Sequence, residues 1–396
     1  MNGSFRHFTT RNFAVMLLIL YCIQYIPLES KAGVSYLKLG VSMLCPLVMI
    51  SKSSWLSRPF YLLFGYYILV LFSALSHPAT LRWSTVLFFI SFMITYITYY
   101  NIITIDKLLK RKEFIVIIRR LIFAYAFILF LQHCFVIIGI KIFPLINLIE
   151  DLDRGIAGNS LSNEPSTAAV TISFTFLALL RMYEIDNGGE KISFALLWEK
   201  DKWIVVAFLY IMIGLVSGTA MIGLFLIATY FLSPKHFIVF FPISIILIII
   251  FINIDFLPLN RARDSLLAFL TLDRIAVLKA DGSSAARIIP IVNTISNLDL
   301  SSLEGWFGHG VDYGLSKGIF SSRVMIGGIA DYGFLSFIVM QIIVYTCMIK
   351  KIISLETLLW MFLGMMTLSN VPVNWGAMMM CTTVKYFQEN VVYEQK

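Results

Sequence analysis

The sequence predicts an all-α polytopic membrane protein, and three observations carry that prediction. First, 59% of the 396 residues are hydrophobic and only 14% charged, with a mean hydropathy of +0.84. A soluble domain runs near 45–50% apolar and about 25% charged. Second, the surplus falls in runs almost free of ionisable residues, such as 13–28, 60–75, 204–215 and 237–252, and not in the one-sided stripes of soluble helices. Third, these runs recur along nearly the whole chain, and about 18 or more apolar residues make a spanning-helix candidate. Secreted and cytosolic enzymes are excluded. So is nucleic-acid binding, because the net charge of +8 belongs to the flanks of membrane segments.

The runs define about twelve spans in one integral membrane domain, 1–396, near 13–28, 33–50, 59–76, 84–103, 120–139, 167–184, 203–216, 219–232, 237–254, 325–348, 355–370 and 375–387. The seventh and eighth are short and meet at Ser217-Gly218-Thr219, the pattern of a hairpin of half-length helices. No cleavable signal peptide is expected, because the first apolar stretch lacks a small-residue cleavage site. The five cysteines all fall in apolar segments without metal-ligand spacing, so they read as small buried hydrophobes.

Orientation follows from the Lys/Arg bias of short loops. Arg58, Lys107, Lys110, Arg111, Lys112, Lys200, Lys350 and Lys351 fall in loops on the same side as the N-terminus. That side is therefore expected to be cytoplasmic, with both termini on it. Two loops are assigned outside. The first, 140–166, carries Asp151, Asp153 and Arg154 and then Asn163-Glu164-Pro165-Ser166. The second, 255–324, balances basic residues such as Arg261, Arg274, Arg287 and Arg323 against acids such as Asp264, Asp299, Glu304 and Asp312. A structureless loop of this length is uncommon. Leu266, Leu267, Leu270, Ile275 and Leu278 predict an amphipathic helix lying along the interface.

Three pieces of the chain together resemble the bacterial O-antigen polymerase family, relatives of the O-antigen ligases. Arg154 followed by Asn159-Ser160-Leu161-Ser162-Asn163-Glu164-Pro165-Ser166 is similar to that family's arginine and "EPS" opening of a span. Ser217-Gly218-Thr219 resembles its "SGS" hairpin. Arg287, then Trp306-Phe307-Gly308-His309-Gly310, then Ala330-Asp331-Tyr332-Gly333 is similar to its arginine, "lfGxG" and "ExGxxG" series. One departure matters: where relatives often carry His-Asn, this chain has Ser322-Arg323. The ligase-type histidine is missing, which favours polymerase.

The resemblance implies a GT-C-like fold in the bacterial inner membrane and a reaction at its periplasmic face. A growing glycan passes from polyprenyl diphosphate to a sugar hydroxyl of another lipid-linked repeat unit. The implied partners are that oligosaccharide, membrane lipid and a chain-length regulator protein, with no cofactor. Arg154, Arg287 and Arg323 are the diphosphate candidates, because guanidinium forks match phosphate oxygens and keep their charge. The spans opening near 166 and 325 present positive helix N-termini to the same side, where a phosphate fits.

Several side chains are candidates for the remaining chemistry, each with an ordinary alternative. Glu164 before Pro165 is either a helix-start residue favoured by dipole and cap logic or a general base and acceptor-sugar ligand. His309, between two glycines, is either a loop residue or the imidazole that takes the acceptor proton, alongside Arg287 at the reacting centre. Asp331 shares one helical face with Arg323 and Gly327 at i, i+4, i+8 spacing, which suits a supporting role. Trp306, Phe307, Tyr313 and Tyr332 are either sugar-stacking platforms or members of an aromatic belt. Asp151 and Asp153 form a D-x-D pair, read as a solvated acidic loop and not as a metal site. His7, His77, His133 and His236 show no partners in the sequence.

A flippase for lipid-linked oligosaccharide is the competing class. It calls for short outer loops, pseudo-repeated halves and midplane charges, which the long 255–324 loop and the scarcity of midplane charge oppose. A ligase shares the polymerase fold and is opposed by the missing His-Asn.

Overall fold

The structure, a computed structural model, describes residues 3–23, 35–50, 56–139, 158–232, 298–311, 313, 328–361 and 372–394. Among these the regular elements are helices. They are α1 (Gly3–Cys22), α2 (Tyr36–Ile50), α3 (Arg58–Ser76), α4 (Trp83–Tyr100, continued by a π turn over Asn101–Ile105), α5 (Arg111–Ile137) and α6 (Pro165–Asp186). Then come α7 (Phe194–Gly214), α8 (Gly218–Tyr230), α9 (Leu303–Phe307), α10 (Ile329–Cys347), α11 (Leu355–Leu359) and α12 (Pro372–Glu394). Arg154, Arg287, Arg323, Asp151, Asp153, His236, the span near 237–254 and the amphipathic segment 266–278 lie outside the described residues.

Five of the described helices are long and apolar enough to cross a membrane: Arg58–Ser76, Trp83–Ile105, Arg111–Ile137, Pro165–Asp186 and Ile329–Cys347. At about 1.5 Å per residue, the shortest of them approaches the ~30 Å hydrocarbon thickness. The protein is thus an α-helical polytopic membrane protein. The hairpin expected at Ser217-Gly218-Thr219 is present, but only α8, 13 residues long and packed back against α6 and α7, is short; α7 runs 21 residues because it extends through Phe194–Lys202 ahead of the expected span.

Several boundaries differ from the hydropathy reading, each for a local reason. Helix α5 begins at Arg111, before the apolar run, where the Glu113 carboxylate accepts from the Lys110 amide at 3.4 Å and so satisfies an early backbone donor. Helix α7 also begins early, at Phe194, with Ser193 accepting from the Leu196 amide. It breaks at Asp201 (φ −154°, ψ 50°), within the charged run Glu199-Lys200-Asp201-Lys202 that separates two apolar segments. Proline opens α3 and α6 in the first turn, where its missing N–H costs nothing.

Paired contacts fix how the helices run. Tyr96 and Tyr99 on α4 meet Thr382 and Thr383 on α12, both at 2.7 Å, so α4 and α12 are parallel. On α2 and α4, the hydroxyls of Ser42 and Ser91 pair, and Cys45 Sγ lies 3.8 Å from Thr95 Oγ1. Helices α3 and α10 are antiparallel, with Ser73 Oγ donating to the Asp331 carbonyl at 2.6 Å. Such buried hydroxyl bonds contribute about 0.6 kcal/mol each between membrane helices. The five cysteines are free thiols, and four of them are buried.

One end of the bundle is basic. There Arg11 pairs with Glu113 at 2.8 Å and Arg111 with Asp186 at 3.0 Å. Arg119 forks onto Asp201 at 3.0 and 3.1 Å, and Tyr183 donates to the same carboxylate at 2.6 Å. Arg181 forks onto Glu356 at 2.6 and 2.8 Å and also reaches Glu184 at 2.6 Å. Lys385 donates to the carbonyls of Tyr345, Thr346 and Ile349, closing the C-terminus of α10 where a cation suits the helix dipole. The opposite end gathers the starts of α4, α6, α10 and α12 and the segment 298–311, with Lys38 and Arg82 as its described basic residues.

The Arg181 pair yields a stability prediction. The Glu356 side chain is 7% exposed and Arg181 12%, and breaking a buried pair costs about 3 kcal/mol. Glu356→Ala is therefore expected to lower the thermal midpoint in detergent by several degrees. Glu190→Ala, at an exposed turn, should leave it unchanged.

Candidate functional site

The strongest feature at the less basic end is an interlock between two segments some twenty residues apart, 306–310 and 330–333. The His309 amide donates to the Ala330 carbonyl at 3.0 Å and the Gly310 amide to the Asp331 carbonyl at 3.1 Å. Ser73 donates its hydroxyl to that same Asp331 carbonyl, so α3 joins the contact. Both central glycines sit in left-handed backbone, Gly308 at φ +85° and Gly333 at φ +84°. A Cβ on Gly308 would collide with the Asp331 carbonyl, and one on Gly333 with the Trp306 carbonyl. Each glycine lets the other segment's backbone approach.

This interlock changes how α10 starts. Gly328 is left-handed (φ 73°, ψ 32°), the helix begins at Ile329, and Gly333 breaks it within its second turn. Arg323 and Gly327, the other members of the expected common face with Asp331, lie outside the described residues; among the described residues here the tight contacts come from Gly308 and Gly333. Asp331 is fully buried. Its carboxylate lies in the first turn of α10, where the dipole favours negative charge, and its backbone carbonyl is the hub of the contact.

His309 projects from the interlock. Its ring stacks on Tyr313 at 4.4 Å with an interplanar angle of 21°. Glu304 Oε2 lies 3.9 Å from its Nδ1. Burial pushes the imidazole below its ordinary value of 6.5, the Glu304 carboxylate opposes that shift, and neighbouring His77 adds to it. The result is a neutral ring at neutral pH, one third exposed, able to accept a proton. The loop before it is held at Asp299, whose carboxylate accepts from the Ser301 amide at 2.9 Å and hydroxyl at 2.6 Å. Those bonds hold the Asp299 carboxyl below its ordinary range.

The four aromatics separate. Tyr332 is 1% exposed and is a core residue, not a sugar platform. Phe307 packs edge-on against Phe72 at 5.0 Å. Trp306 is 37% exposed, with its Nε1 donating to the Leu300 carbonyl at 2.9 Å and its ring edge-on to Phe334. Tyr313 is the partner of His309.

Glu164 occupies the N-cap of α6, with Pro165 as the first helical residue, as its sequence position predicts. Its carboxylate is exposed and accepts from Ser166 Oγ at 3.1 Å. The preceding loop is fixed from below: Ser160 donates its amide to Gln132 Oε1 at 2.7 Å and its hydroxyl to the Tyr125 carbonyl at 2.6 Å. Gln132 in turn donates to Asn159 Oδ1 at 2.9 Å. Asn159, Ser160 and Ser162 are buried, so this polar run is anchored in protein and not solvated. Among the described residues, no hydrogen bond or ion pair joins Glu164 to His309; the two share an end of the bundle.

Two of the histidines have partners after all. His133 Nδ1 lies 2.7 Å from the Tyr210 hydroxyl and its Nε2 3.3 Å from the Gly214 carbonyl, which ties α5 to the hairpin. His77 Nδ1 lies 3.1 Å from the Ser73 carbonyl. Ser73, His77, Glu304 and the Asn159–Ser162 anchor were missed from the sequence. A signal existed for His77, since His77-Pro78 closes an apolar span at the assigned outer side. None existed for Ser73, which sits inside an apolar run. Comparison with known proteins found no matching family model, no matching curated protein and no matching solved structure.

The two glycine positions allow a controlled test. Gly308→Ala forces a side chain both into left-handed backbone and onto a carbonyl, whereas Gly188→Ala imposes a similar φ of +72° with nothing within 4 Å. Left-handed strain alone costs about 1–2 kcal/mol. Gly308→Ala and Gly333→Ala are expected to lower the thermal midpoint well beyond Gly188→Ala; equal shifts in detergent-purified protein would show that the interlock does not form.

Proposed function

We propose that this protein is a polymerase of O-antigen or a related surface polysaccharide, working at the periplasmic face of the bacterial inner membrane. The reaction is glycosyl transfer. A sugar hydroxyl of one polyprenyl-diphosphate-linked repeat unit attacks the anomeric carbon of the growing glycan on another. The new C–O bond forms as the bond to the diphosphate breaks, and polyprenyl diphosphate departs. The observation that carries this reading is the backbone interlock of Trp306–Gly310 with Ala330–Gly333. Two parts of the third piece on which the family resemblance rests are built into one another around a neutral imidazole.

In this reading His309 takes the proton of the attacking hydroxyl, and a positioned base of this kind contributes about 10²–10⁴-fold. Trp306 offers a ring face to the acceptor sugar, and Glu164 serves as a sugar ligand or alternative base at the start of α6. Arg154, Arg287 and Arg323 meet the leaving diphosphate, whose growing charge prepositioned donors stabilise. The N-termini of α6 and α10 add partial positive charge at the same end. Asp331 supports the shape of the site. The chain-length regulator remains the proposed protein partner, with no cofactor.

The orientation is part of the proposal. The basic layer formed by Arg11, Arg111, Arg119, Arg181 and Lys385 supports assigning that end, and with it both termini, to the cytoplasm. The full chain is proposed to have about twelve spans in a GT-C-like arrangement.

Deleting the gene should leave core carrying a single repeat unit on the surface-glycan ladder; loss of every unit would indicate a ligase or a flippase. Arg287→Ala should abolish long chains while the protein still reaches the membrane, and ladders of normal length would remove the diphosphate role. His309→Gln should lower turnover by about 10²-fold or more. Because the neutral ring is the active form, parent activity should hold above pH 6.5 and fall as pH drops through the lowered value. An acid limb that survives in His309→Gln places the base elsewhere.

A further inference from the structure

At the basic end a pocket of about 600 Å³ opens between the end of α6, the end of α8 and residues 350–358. Its wall carries Arg181, Lys191, Lys350 and Lys351 against Glu184 and Glu356. The two carboxylates are engaged by Arg181, which leaves positive charge in excess. Tyr230 lies between two of the cations, with Lys191 Nζ 5.5 Å and Arg181 Cζ 5.7 Å from its ring centre. Its hydroxyl accepts from the Ile192 amide at 3.2 Å, so the ring is held in place.

The surroundings mark the depth of this pocket. Immediately after Lys350-Lys351, Ile352 is 69% exposed and Ile353 96% exposed. Nearby Phe194 stacks edge-on with Phe231 at 5.6 Å, and Trp198 is 43% exposed. Lysines beside projecting isoleucines, with an aromatic girdle, belong at the headgroup level of a bilayer. Basic pockets between membrane helices suit phosphate headgroups. A freely soluble phosphate would account for the cations but not for the exposed Ile352, Ile353 and Leu358 at their edge.

We propose that this pocket binds the phosphate headgroup of an anionic phospholipid from the leaflet at the basic end, with the acyl chains lying along Ile353 and Leu358. Lys191 and Lys351 supply the charge. Lys350 is partly committed, since its Nζ donates to the Gln388 carbonyl at 2.7 Å. The site is remote from the glycine interlock and does not depend on the polymerase reading.

The test is titration of the purified full-length protein in nonionic detergent with short-chain phosphatidylglycerol and, in parallel, phosphatidylcholine. Phosphatidylglycerol should bind the more tightly, and Lys191→Ala/Lys351→Ala should weaken it by roughly 30-fold, from the usual effect per basic residue near a charged headgroup. Lys191→Arg/Lys351→Arg should bind as the parent does. So should Lys112→Ala/Arg120→Ala, which removes exposed charges of the same end outside the pocket. Equal affinity for the two lipids, or equal weakening in both alanine pairs, overturns the site. Displacement of the lipid by glycerol phosphate at matched concentration overturns its assignment to a lipid.

Discussion

The contact on which the site end depends is an exchange of backbone between two segments that meet at a pair of glycines. Gly308 and Gly333 each stand where a side chain would strike the other segment's carbonyl, and the His309 and Gly310 amides close the gap with hydrogen bonds. In a hydrocarbon environment an unsatisfied backbone group costs several kcal/mol. Breaking α10 at Gly333 therefore demands that the freed carbonyls find donors elsewhere. Asp331's carbonyl finds two, the Gly310 amide and the Ser73 hydroxyl. That arrangement sets where His309 points and keeps its ring against Tyr313 and away from full solvation.

The opposite end is held by a different kind of interaction. Arg181, Arg119 and Arg111 fork or reach onto carboxylates contributed by other helices or by the following turn. Arg181 and Arg119 meet their partners in bidentate geometry, which suits a guanidinium and a carboxylate. Between the two ends, hydroxyl pairs such as Tyr96–Thr382 and Tyr99–Thr383 supply specificity where apolar surface cannot, since lipid tails and leucine side chains are equally greasy. The molecule is thus pinned at both faces by polar geometry, with its middle matched mainly by shape.

Much of the helical framework was legible because the bilayer imposes a length and a composition on anything that crosses it. The start of α6 at Pro165, the α7–α8 hairpin and the burial of four of the five cysteines followed from local residues. The early starts of α5 and α7 were missed, because hydropathy does not register the backbone amides accepted by Glu113 and Ser193. The polar run Asn159–Ser162 was read by its pattern alone, and its burial against Gln132 and Tyr125 depends on partners about thirty residues away.

What the sequence determined by itself was the class of protein, the end at which positive charge collects and the short glycine-bearing segments on which the family resemblance rests. Those properties are sums or local spacings, and the membrane reads them directly. Only the tertiary structure decided that Trp306–Gly310 and Ala330–Gly333 form one unit, that His77 and Glu304 flank His309, and that Tyr332 is core. Each of these depends on the close approach of backbones distant along the chain. Such an approach is set by which glycine faces which carbonyl, and no periodicity within either segment encodes it.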